Sequence, residues 1–463
     1  MQVLSAACGG HADAKFAQVI KFDDGSWLYT IAHIQARSES KRSVTATPSQ
    51  QTTTKPLRLV IMAGAAVAFC ILGDSLLYAV LPLAAPDLGI SLPLVGILLS
   101  ANRLVRLGSN TWVGGIFERM GPRRPFIASS IVGLLSTVLY GAGWGFTVFL
   151  AARLLWGIAW SGLRQGGYQA VWAGSPTMKG RLMGLLWGLI RLGSACSVLI
   201  GGMLYDRYGY FPTITLVILV SILSVPLAFA IRWPDAAHIH AAHDASTGEE
   251  STSWRARIRQ FGAGWRAVLD APHRRWLVGA GLVAYFLHSI VVSTLSLFLQ
   301  QRLGEGAHFA GWTFGVATIA GLILTVRWLI DLGFGPALGY LSDKLGQPQT
   351  AALLVCVQYV ALLSAANLPP AGAVAGIILV FLCDGGMSIV LNAAASGIAT
   401  ETARPHQYVS IFTTSTDAGS AIGPLLAYTI GGVFGISTMY LAVGAVLVVV
   451  IWRYWRLSPI AYR

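Results

Sequence analysis

The most telling absence in this sequence is charge. Of its 463 residues only 11% are Asp, Glu, Lys or Arg, whereas 55% are hydrophobic. A soluble domain usually carries about 25% charged residues, so this chain lacks the side chains that would cover a water-facing surface. Its solvent is therefore lipid, and its length has to be interpreted as a number of membrane spans rather than of soluble domains.

The sequence also lacks the motifs of several other protein classes. Its five cysteines show no C-x-x-C spacing, and four of them lie in apolar segments, which predicts small core residues. The absence of a Ser/His/Asp order, of H-E-x-x-H and of a glycine-rich phosphate loop argues against an enzyme, a bound metal or a cofactor. No basic patch alternates with exposed aromatics, which argues against nucleic-acid binding. The cluster of His238, His240 and His243 predicts a solvated linker rather than a metal site.

Apolar runs of about 20 residues, the length that crosses a bilayer, recur through most of the chain. They predict an all-α integral membrane protein in which six spans are followed by a polar linker and then by six more. The twelve predicted spans are residues 58–82, 92–116, 124–143, 146–167, 182–204, 211–232, 275–299, 309–341, 350–368, 371–395, 408–430 and 435–455.

These spans divide the chain into five segments. Residues 1–56 are polar, are rich in Ser, Thr and Gln, and lack the apolar region of a cleaved signal peptide, which predicts a disordered cytoplasmic tail. The first six-helix bundle is predicted at 57–232 and the second at 274–456. A cytoplasmic linker, 233–273, joins them, and residues 457–463 form a cytoplasmic C-terminus.

The positions of Lys and Arg predict the orientation of the protein in the membrane. With both termini cytoplasmic, the outer loops contain only Arg207 and Arg302, and most of the 32 Lys and Arg residues fall in cytoplasmic segments. The opposite orientation would put those residues outside. The net charge of +13 is therefore attributed to the cytoplasmic loops of a protein of the inner or plasma membrane.

The two halves carry the same loop motif at equivalent points. The second span is followed by GGIFERMGPRR (114–124) and the eighth by GYLSDKLGQ (339–347), which both read Gly-x-x-x-acid-base-x-Gly. Paired motifs of this kind are typical of transporters that are built from repeats. With these motifs and its six-plus-six layout, the chain resembles the major facilitator superfamily over about residues 58–456.

The resemblance implies two pseudo-symmetric six-helix bundles that rock about a site at the membrane midplane, with the loop motif acting as a gate. Glu118 stands where the family's signature usually has aspartate, and Pro122 stands where it has a basic residue, whereas the second copy keeps its aspartate. The predicted gating residues are Gly114, Glu118, Arg119, Gly121, Arg123, Gly339, Asp343, Lys344 and Gly346.

Glycines in the fifth span resemble the antiporter motif of the same family. The central Gly-Pro of that motif is replaced here by Ser197-Val198, and a Gly-Pro occurs instead in the eleventh span. Glycine allows a neighbouring helix to approach closely. The predicted helix-packing residues are therefore Gly184, Gly193, Gly201, Gly202, Gly419, Gly423 and Pro424.

Six arginines lie inside the predicted spans, where each charge is costly. A buried arginine costs about 2.5–3.5 kcal/mol at a helix centre, so these side chains should face a water-filled cavity or reach the interface. Arg164 and Arg191 lie nearer to helix ends and are expected to reach the interface. The other four suit a small organic anion, because a guanidinium group matches carboxylate or phosphate. The predicted substrate-binding residues are Arg103, Arg106, Arg153 and Arg327.

Three titratable residues are predicted to couple transport to protons, and each has an alternative interpretation. Burial disfavours the charged form of Asp74, as in a proton carrier, but a structural pair with an arginine of the second span, Arg103 or Arg106, fits equally well. His288 titrates near neutral pH or is a hydrogen-bonded core residue. Asp331 lies four residues after Arg327 on the same helix. It therefore either couples transport to protons or forms a pair with Arg327 in which the two charges neutralise each other.

Other acidic residues are less informative in the sequence. Asp384 and Asp417 lie inside spans and either pair with cavity arginines or face the cytoplasmic gate. Asp87, Asp206 and Glu305 fall in outer loops and are predicted to be solvated.

The sequence thus predicts a proton-coupled secondary transporter of a small solute, with a small organic anion favoured. Its predicted partners are that substrate, protons and the lipid bilayer, without nucleic acid or cofactor, and it is expected to act as a monomer. Two alternatives are a drug or metabolite exporter that works by proton antiport, with structural arginines, and a non-transporting membrane protein built on the same fold.

Overall fold

The structure is a computed structural model that describes residues 3–7, 16–21, 27–32, 56–173, 178–233, 271–309, 312–400 and 405–459. The chain divides into two compact units, Met1–Thr53 and Thr54–Arg463. The predicted linker 233–273, with its three histidines, lies almost wholly outside the described residues.

The first unit contains a small antiparallel sheet. Its strands are β1 (Val3–Ala7), β2 (Phe16–Lys21) and β3 (Trp27–Ala32), which pair in chain order. The last two strands are rich in aromatic and β-branched residues, which favour extended backbone. The structure therefore differs, over these three strands, from the disordered tail that composition predicts.

The second unit is helical, and its first half follows the predicted spans. Cys70 and Leu72 flank a break within the first span, and a short interruption also divides the sixth. The helices are α1 (Pro56–Cys70), α2 (Leu72–Ala84), α3 (Leu92–Met120), α4 (Arg123–Ala142), α5 (Gly145–Trp172), α6 (Lys179–Tyr208), α7 (Tyr210–Ser221) and α8 (Ser224–Ala230).

The second half repeats this order with one addition. A two-stranded hairpin of β4 (Gly306–Phe309) and β5 (Trp312–Gly315) precedes the eighth span, so the predicted start of that helix at residue 309 is wrong. The glycines and aromatic residues of this stretch favour a hairpin. The helices are α9 (Pro272–Leu303), α10 (Val316–Leu345), α11 (Gln347–Asn367), α12 (Pro370–Thr400), α13 (Pro405–Thr429), α14 (Gly431–Phe434) and α15 (Ile436–Leu457).

Nine helical segments within the described residues are long and apolar enough to cross a membrane. Three further helices, α3, α10 and α13, have 29, 30 and 25 residues, which is also enough for a bilayer. These three helices carry Arg103, Arg106, Arg327 and Asp417. The predicted all-α membrane fold is confirmed.

One apolar core contains residues of both halves, and its first-half members lie towards the helix ends that the arginine pattern predicts to face outward. That core joins residues such as Leu76 and Leu98 of the first half to Leu295 and Val316 of the second. A separate cluster, which includes Val60, lies within the first half alone. The bundles are therefore in close contact near their predicted outer ends.

Backbone approach between α6 and α10 shows how tight this outer contact is. A Cβ added to Gly202 would clash with the carbonyl oxygen of Ala317, and one added to Gly321 would clash with that of Val198. On the opposite side of the bundle, a Cβ on Gly96 of α3 would lie 2.6 Å from the carbonyl oxygen of Pro424 in α13. Side chains at these three glycines would push the halves apart.

Asp206, at the outer end of α6, caps the first turn of α10. Its carboxylate accepts hydrogen bonds from the backbone N–H of Ala317 (3.3 Å) and from both the N–H (2.7 Å) and the hydroxyl (2.5 Å) of Thr318. The prediction that Asp206 is merely solvated is therefore wrong. The first N–H groups of a helix have no partner within the helix, and a carboxylate there also meets the positive end of the dipole. The cap ties the two halves together.

Replacing Asp206 with alanine is expected to weaken the closed outer side. The lost cap contributes about 0.5–1 kcal/mol at an exposed helix start, which is a twofold to fivefold shift in population towards an open outer side. Distances between spin labels at Asp87→Cys and Glu305→Cys, in a background without other cysteines, measure this shift. Asp206→Asn, which keeps an acceptor, should shift less, and equal distance distributions in all three proteins would exclude a gating role.

Candidate functional site

Two adjoining cavities lie between the two helical bundles. The larger has a volume of about 400 Å³ and the smaller of about 250 Å³. Three residues line both cavities: Arg191 of α6, His288 of α9 and Arg327 of α10. The cavities therefore meet at a group of titratable and charged side chains.

Positive charge dominates the larger cavity. Four arginines line it, and Asp74 is the one carboxylate among its described lining residues. The arginines come from three helices: Arg103, Arg106, Arg191 and Arg327. Arg191 was predicted to reach the membrane interface, and that prediction is wrong, because it lines both cavities.

Asp74 is held by a buried arginine that the sequence did not pair with it. Arg153 of α5 forms an ion pair with the Asp74 carboxylate, and its Nε donates to the carbonyl oxygen of Leu98 at 2.9 Å. The Nδ2 of Asn102 donates to the same carboxylate at 3.3 Å. Arg153 is fully buried and does not line either cavity. Asp74 is therefore paired with α5 rather than with the arginines of α3.

Arg103 connects the two halves. Its guanidinium donates to the hydroxyl of Ser289 in α9 at 2.7 Å and to the carbonyl oxygen of Ser420 in α13 at 2.8 Å. The same group lies 5.8 Å from the ring centre of Tyr78, which is within the range of a cation–π contact. This arginine is therefore both a cavity residue and part of the contact between bundles.

Arg106, one turn further along α3, has a hydrogen-bond donor that is not used within the described part of the protein. Its buried Nε has no hydrogen-bond partner among the described residues, although the carboxylate of Asp417 acts on it electrostatically. A buried N–H without a partner is costly unless water or a ligand accepts its hydrogen bond. The position of this group in the cavity wall makes it a direct candidate for an anionic ligand.

A chain of three side chains lies where the two cavities meet. His288 contacts the carboxylate of Asp384 through Nδ1, and its Nε2 is 3.1 Å from a terminal nitrogen of Arg327. A guanidinium group can only donate, so Nε2 accepts and Nδ1 carries the proton that is donated to Asp384. His288 is thus in its neutral form between a base and a cation. The side chain of Asp331 is outside the described part of α10.

One wall of the larger cavity is aromatic. Trp156 and Trp160 of α5 have ring centres 6.0 Å apart, and Trp160 is 6.4 Å from Trp187 of α6. Tyr78 and Trp328 also line this cavity. No sequence motif marks these residues as cavity residues, although Trp156 and Trp160 are four apart on one helix face, as are Trp187 and Arg191.

The predicted gating loops end α3 and α10 in the same backbone conformation. Gly121 has φ of +69° and Gly346 has φ of +88°, a region that favours glycine. Glu118, Arg119, Arg123 and Lys344 are exposed. A Cβ on Gly114 would meet nothing within 4 Å, and the surroundings of Gly339 and Asp343 are not described.

Most of the predicted packing glycines lie against a neighbouring helix. A Cβ on Gly193 would be 2.6 Å from the carbonyl oxygen of Ala68, and one on Gly423 would be 2.8 Å from the Cβ of Ser289. Added Cβ atoms would clash with Leu76 at Gly201, with Ala317 at Gly202 and with Leu282 at Gly419. Around Gly184 the space is open, so no close contact is made there.

Two of the four described cysteines differ from the core positions that the sequence predicts. Cys70 and Cys383 are buried, but Cys196 and Cys356 are exposed on the helix surface. Among the described residues, no group of three His, Cys, Asp or Glu side chains has the arrangement of a metal site. The chemistry available in the cavities is therefore that of arginines, one histidine, paired carboxylates and aromatic rings.

Sequence comparisons identify relatives that are transporters. The chain is 23% identical to the chromaffin granule amine transporter of Rattus norvegicus over 255 residues, which cover 55% of this chain and 44% of that protein. The Homo sapiens protein of the same name is 23% identical over 257 residues, covering 55% and 43%. The match thus spans less than half the length of these relatives.

Solved structures share the arrangement of helices. The nucleoside transporter NupG has a TM-score of 0.68 at 12% identity, covering 87% of this chain and 98% of that one. A peptide transporter POT in complex with sulfate has a TM-score of 0.63 at 17% identity, covering 87% and 95%. At these identities the likeness shows the fold alone.

The family is settled by a match to most of the chain. The sequence model of the Major Facilitator Superfamily matches residues 63–332 and 317–462, which include every described helix of both bundles except the start of α1. The predicted resemblance is therefore confirmed. The chain belongs to the major facilitator superfamily.

Proposed function

We propose that this protein is a proton-coupled secondary transporter of small organic anions. The observation that carries the proposal is the charge of the larger cavity, where four arginines face one carboxylate that is already bound by Arg153. The protein would work by alternating access as a monomer in the cell membrane, with both termini cytoplasmic and without a cofactor. The positive-inside pattern of the loops supports this orientation.

The energetic cost of the arginines supports a ligand of opposite charge. One arginine at the centre of a span costs about 2.5–3.5 kcal/mol on insertion scales, so four in one cavity are a large expense without water or an anion. Guanidinium groups form charge-assisted, often bidentate, hydrogen bonds to carboxylates. Arg106, with its buried and unsatisfied Nε, is the best placed of the four to do so.

The amine transporter relatives raise cations as a rival substrate class. A cation in this cavity would need a carboxylate to receive it, but Asp74 is bound by Arg153 and Asn102, and Asp384 by His288. It would also meet four guanidinium groups. The local chemistry therefore favours anions, even though those relatives carry the word amine in their names.

His288 is the best candidate for coupling to protons among the three predicted residues. Protonation of Nε2 would turn it from an acceptor into a donor, and its hydrogen bond from Arg327 would be lost. Arg327 would then turn towards an anion in the cavity. Asp384, which accepts from Nδ1, favours the protonated form, whereas the positive charge of Arg327 beside Nε2 opposes it.

This arrangement favours symport over the exporter alternative. A bound anion would offset the arginines that oppose protonation, so the proton and the anion stabilise each other in one occupied state. Coupled binding of this kind is reciprocal by thermodynamic linkage. An antiporter needs the opposite, namely a proton that displaces the substrate.

Flux measurements in proteoliposomes test the substrate class. Arg106→Gln is expected to raise the half-saturation concentration for transported organic anions by roughly 10- to 100-fold, because one charge-assisted hydrogen bond contributes about 1.5–3 kcal/mol. Arg207→Gln removes an exposed arginine from the last turn of α6 and is the matched control. Transport of organic amines but not of anions by the unaltered protein would overturn the proposal.

A further inference from the structure

The aromatic wall of the larger cavity has no part in binding a bare anion. Trp160 and Trp187 belong to neighbouring helices, and their ring centres are 6.4 Å apart at an angle of 57°. Trp187 is partly exposed, as expected of a side chain that faces a cavity. Such rings provide a large apolar surface, which would remain in contact with water if the ligand were a carboxylate alone.

The wall and the charges are adjacent, which restricts the shape of a ligand. Trp187 and Arg191 are four residues apart on α6, and therefore lie one above the other on the same helix face. Both line the larger cavity, as do Trp160 and Arg106. A ligand that contacts both groups needs an anionic end and an apolar body within a few ångströms of each other.

The volume of the cavity agrees with such a ligand. About 400 Å³ falls at the lower end of the range for cavities that enclose an organic molecule. An ion as small as acetate would occupy only a fraction of this space. A molecule with one ring and a short acidic arm would fill it and cover the indoles.

We propose that the cavity selects aromatic carboxylates, with the ring packed against Trp160 and Trp187 and the carboxylate bound by Arg106 and Arg191. This inference rests on the proposed transport of organic anions and adds the class of anion. Flat rings pack on indoles in offset or edge-to-face arrangements, which saturated rings of similar size match less well. The tryptophans therefore determine specificity, whereas the arginines determine the sign of the charge.

Competition between ligands of equal charge tests the inference. Phenylacetate, cyclohexylacetate and acetate are compared as inhibitors and as substrates of counterflow in proteoliposomes. In the unaltered protein, the half-saturation concentration of phenylacetate is expected to be about tenfold below that of cyclohexylacetate. The difference between phenylacetate and acetate is expected to be larger than tenfold. Equal values for all three would overturn the inference while leaving anion transport intact.

Substitutions in the wall separate its role from that of the arginines. Trp187→Ala is expected to raise the half-saturation concentration for phenylacetate about tenfold and to leave that for acetate unchanged, whereas Trp187→Phe keeps a ring and shifts it less than about threefold. Trp160→Ala and Trp160→Phe form a second pair. Trp144→Ala, which removes a tryptophan that is 75% exposed, is the control.

The outcomes distinguish the two proposals. A loss of acetate and phenylacetate transport in equal measure in Trp187→Ala and in Trp187→Phe would assign the tryptophan a structural role and overturn the inference. If the unaltered protein moves none of the three carboxylates, the proposed function fails together with it. Direct calorimetric titration of the purified protein with phenylacetate checks binding independently of transport.

Discussion

Replacing His288 with glutamine is expected to abolish proton-driven accumulation of substrate while counterflow exchange continues. Glutamine can still donate to Asp384 and accept from Arg327, so the contacts at the junction of the two cavities survive. Unlike histidine, glutamine cannot take up a proton near neutral pH. With the membrane potential held at zero, a gradient of one pH unit supplies about 1.4 kcal/mol, or about tenfold accumulation, and the variant should show none.

The same experiment discriminates between His288 and Asp74, two of the three predicted proton carriers. Coupling through Asp74, the first choice from the sequence, requires that Asp74→Asn abolishes accumulation and spares exchange. Coupling through His288 requires that the histidine variant does so. His273→Gln, in the first turn of α9 and outside both cavities, is the control. Accumulation that persists in His288→Gln but disappears in Asp74→Asn would contradict the assignment to His288.

Breaking the pair of Asp74 and Arg153 is expected to destabilise the folded protein strongly. Either partner alone would be a buried charge without its counter-charge, at a cost of about 3–5 kcal/mol. The clearest single change is Asp74→Asn, because Arg153 is fully buried and an arginine does not lose its proton. Thermal unfolding of purified protein in detergent measures the loss.

The double variant separates the ion pair from the packing around it. Asp74→Asn combined with Arg153→Gln removes both charges and keeps polar groups of similar size, so it should recover much of the stability lost in either single variant. Arg207→Gln again provides the exposed control. If the two single variants unfold at the temperature of the unaltered protein, the pair is not a structural element, and Asp74 becomes available again as a proton carrier.

The sequence predicted the parts of this fold that depend on apolar length and on local backbone requirements. Apolar runs locate helices because a span must satisfy its backbone within lipid, and the structure follows nearly all of them. The paired loop motifs were found at equivalent points of the two halves, and Gly121 and Gly346 of these motifs share a positive φ. These features depend on residues close together in the chain.

The partners of the charged residues were harder to predict. Asp74 has arginines within reach on two helices, and the choice between Arg103 and Arg153 depends on how each helix is rotated and how closely it packs. Arg191 was assigned to the interface by its distance from a helix end, but the direction in which its helix face points decides its position. The sequence does not specify these rotations, because they result from packing across both bundles.

The contact between the two halves at Asp206 was also difficult to predict from the sequence. Asp206 is near a helix end in the sequence, and nothing there marks it as a cap for a helix more than a hundred residues away. The hairpin before α10 brings Gly315 beside that carboxylate, where a Cβ would overlap it. A pattern search within one helix cannot detect an N-terminus that is capped by another helix.

The hydrogen bonds of Arg103 to Ser289 and Ser420 bear on leakage by the empty carrier. They link α3 to the opposite bundle, so an unloaded protein must break them before its halves can separate. An anion that accepts from Arg103 would compensate for that loss, and the transition would become easier with cargo than without it. A ligand shifts such an equilibrium only through its different affinities for the two states. One arginine would then limit futile cycling and uncoupled slippage.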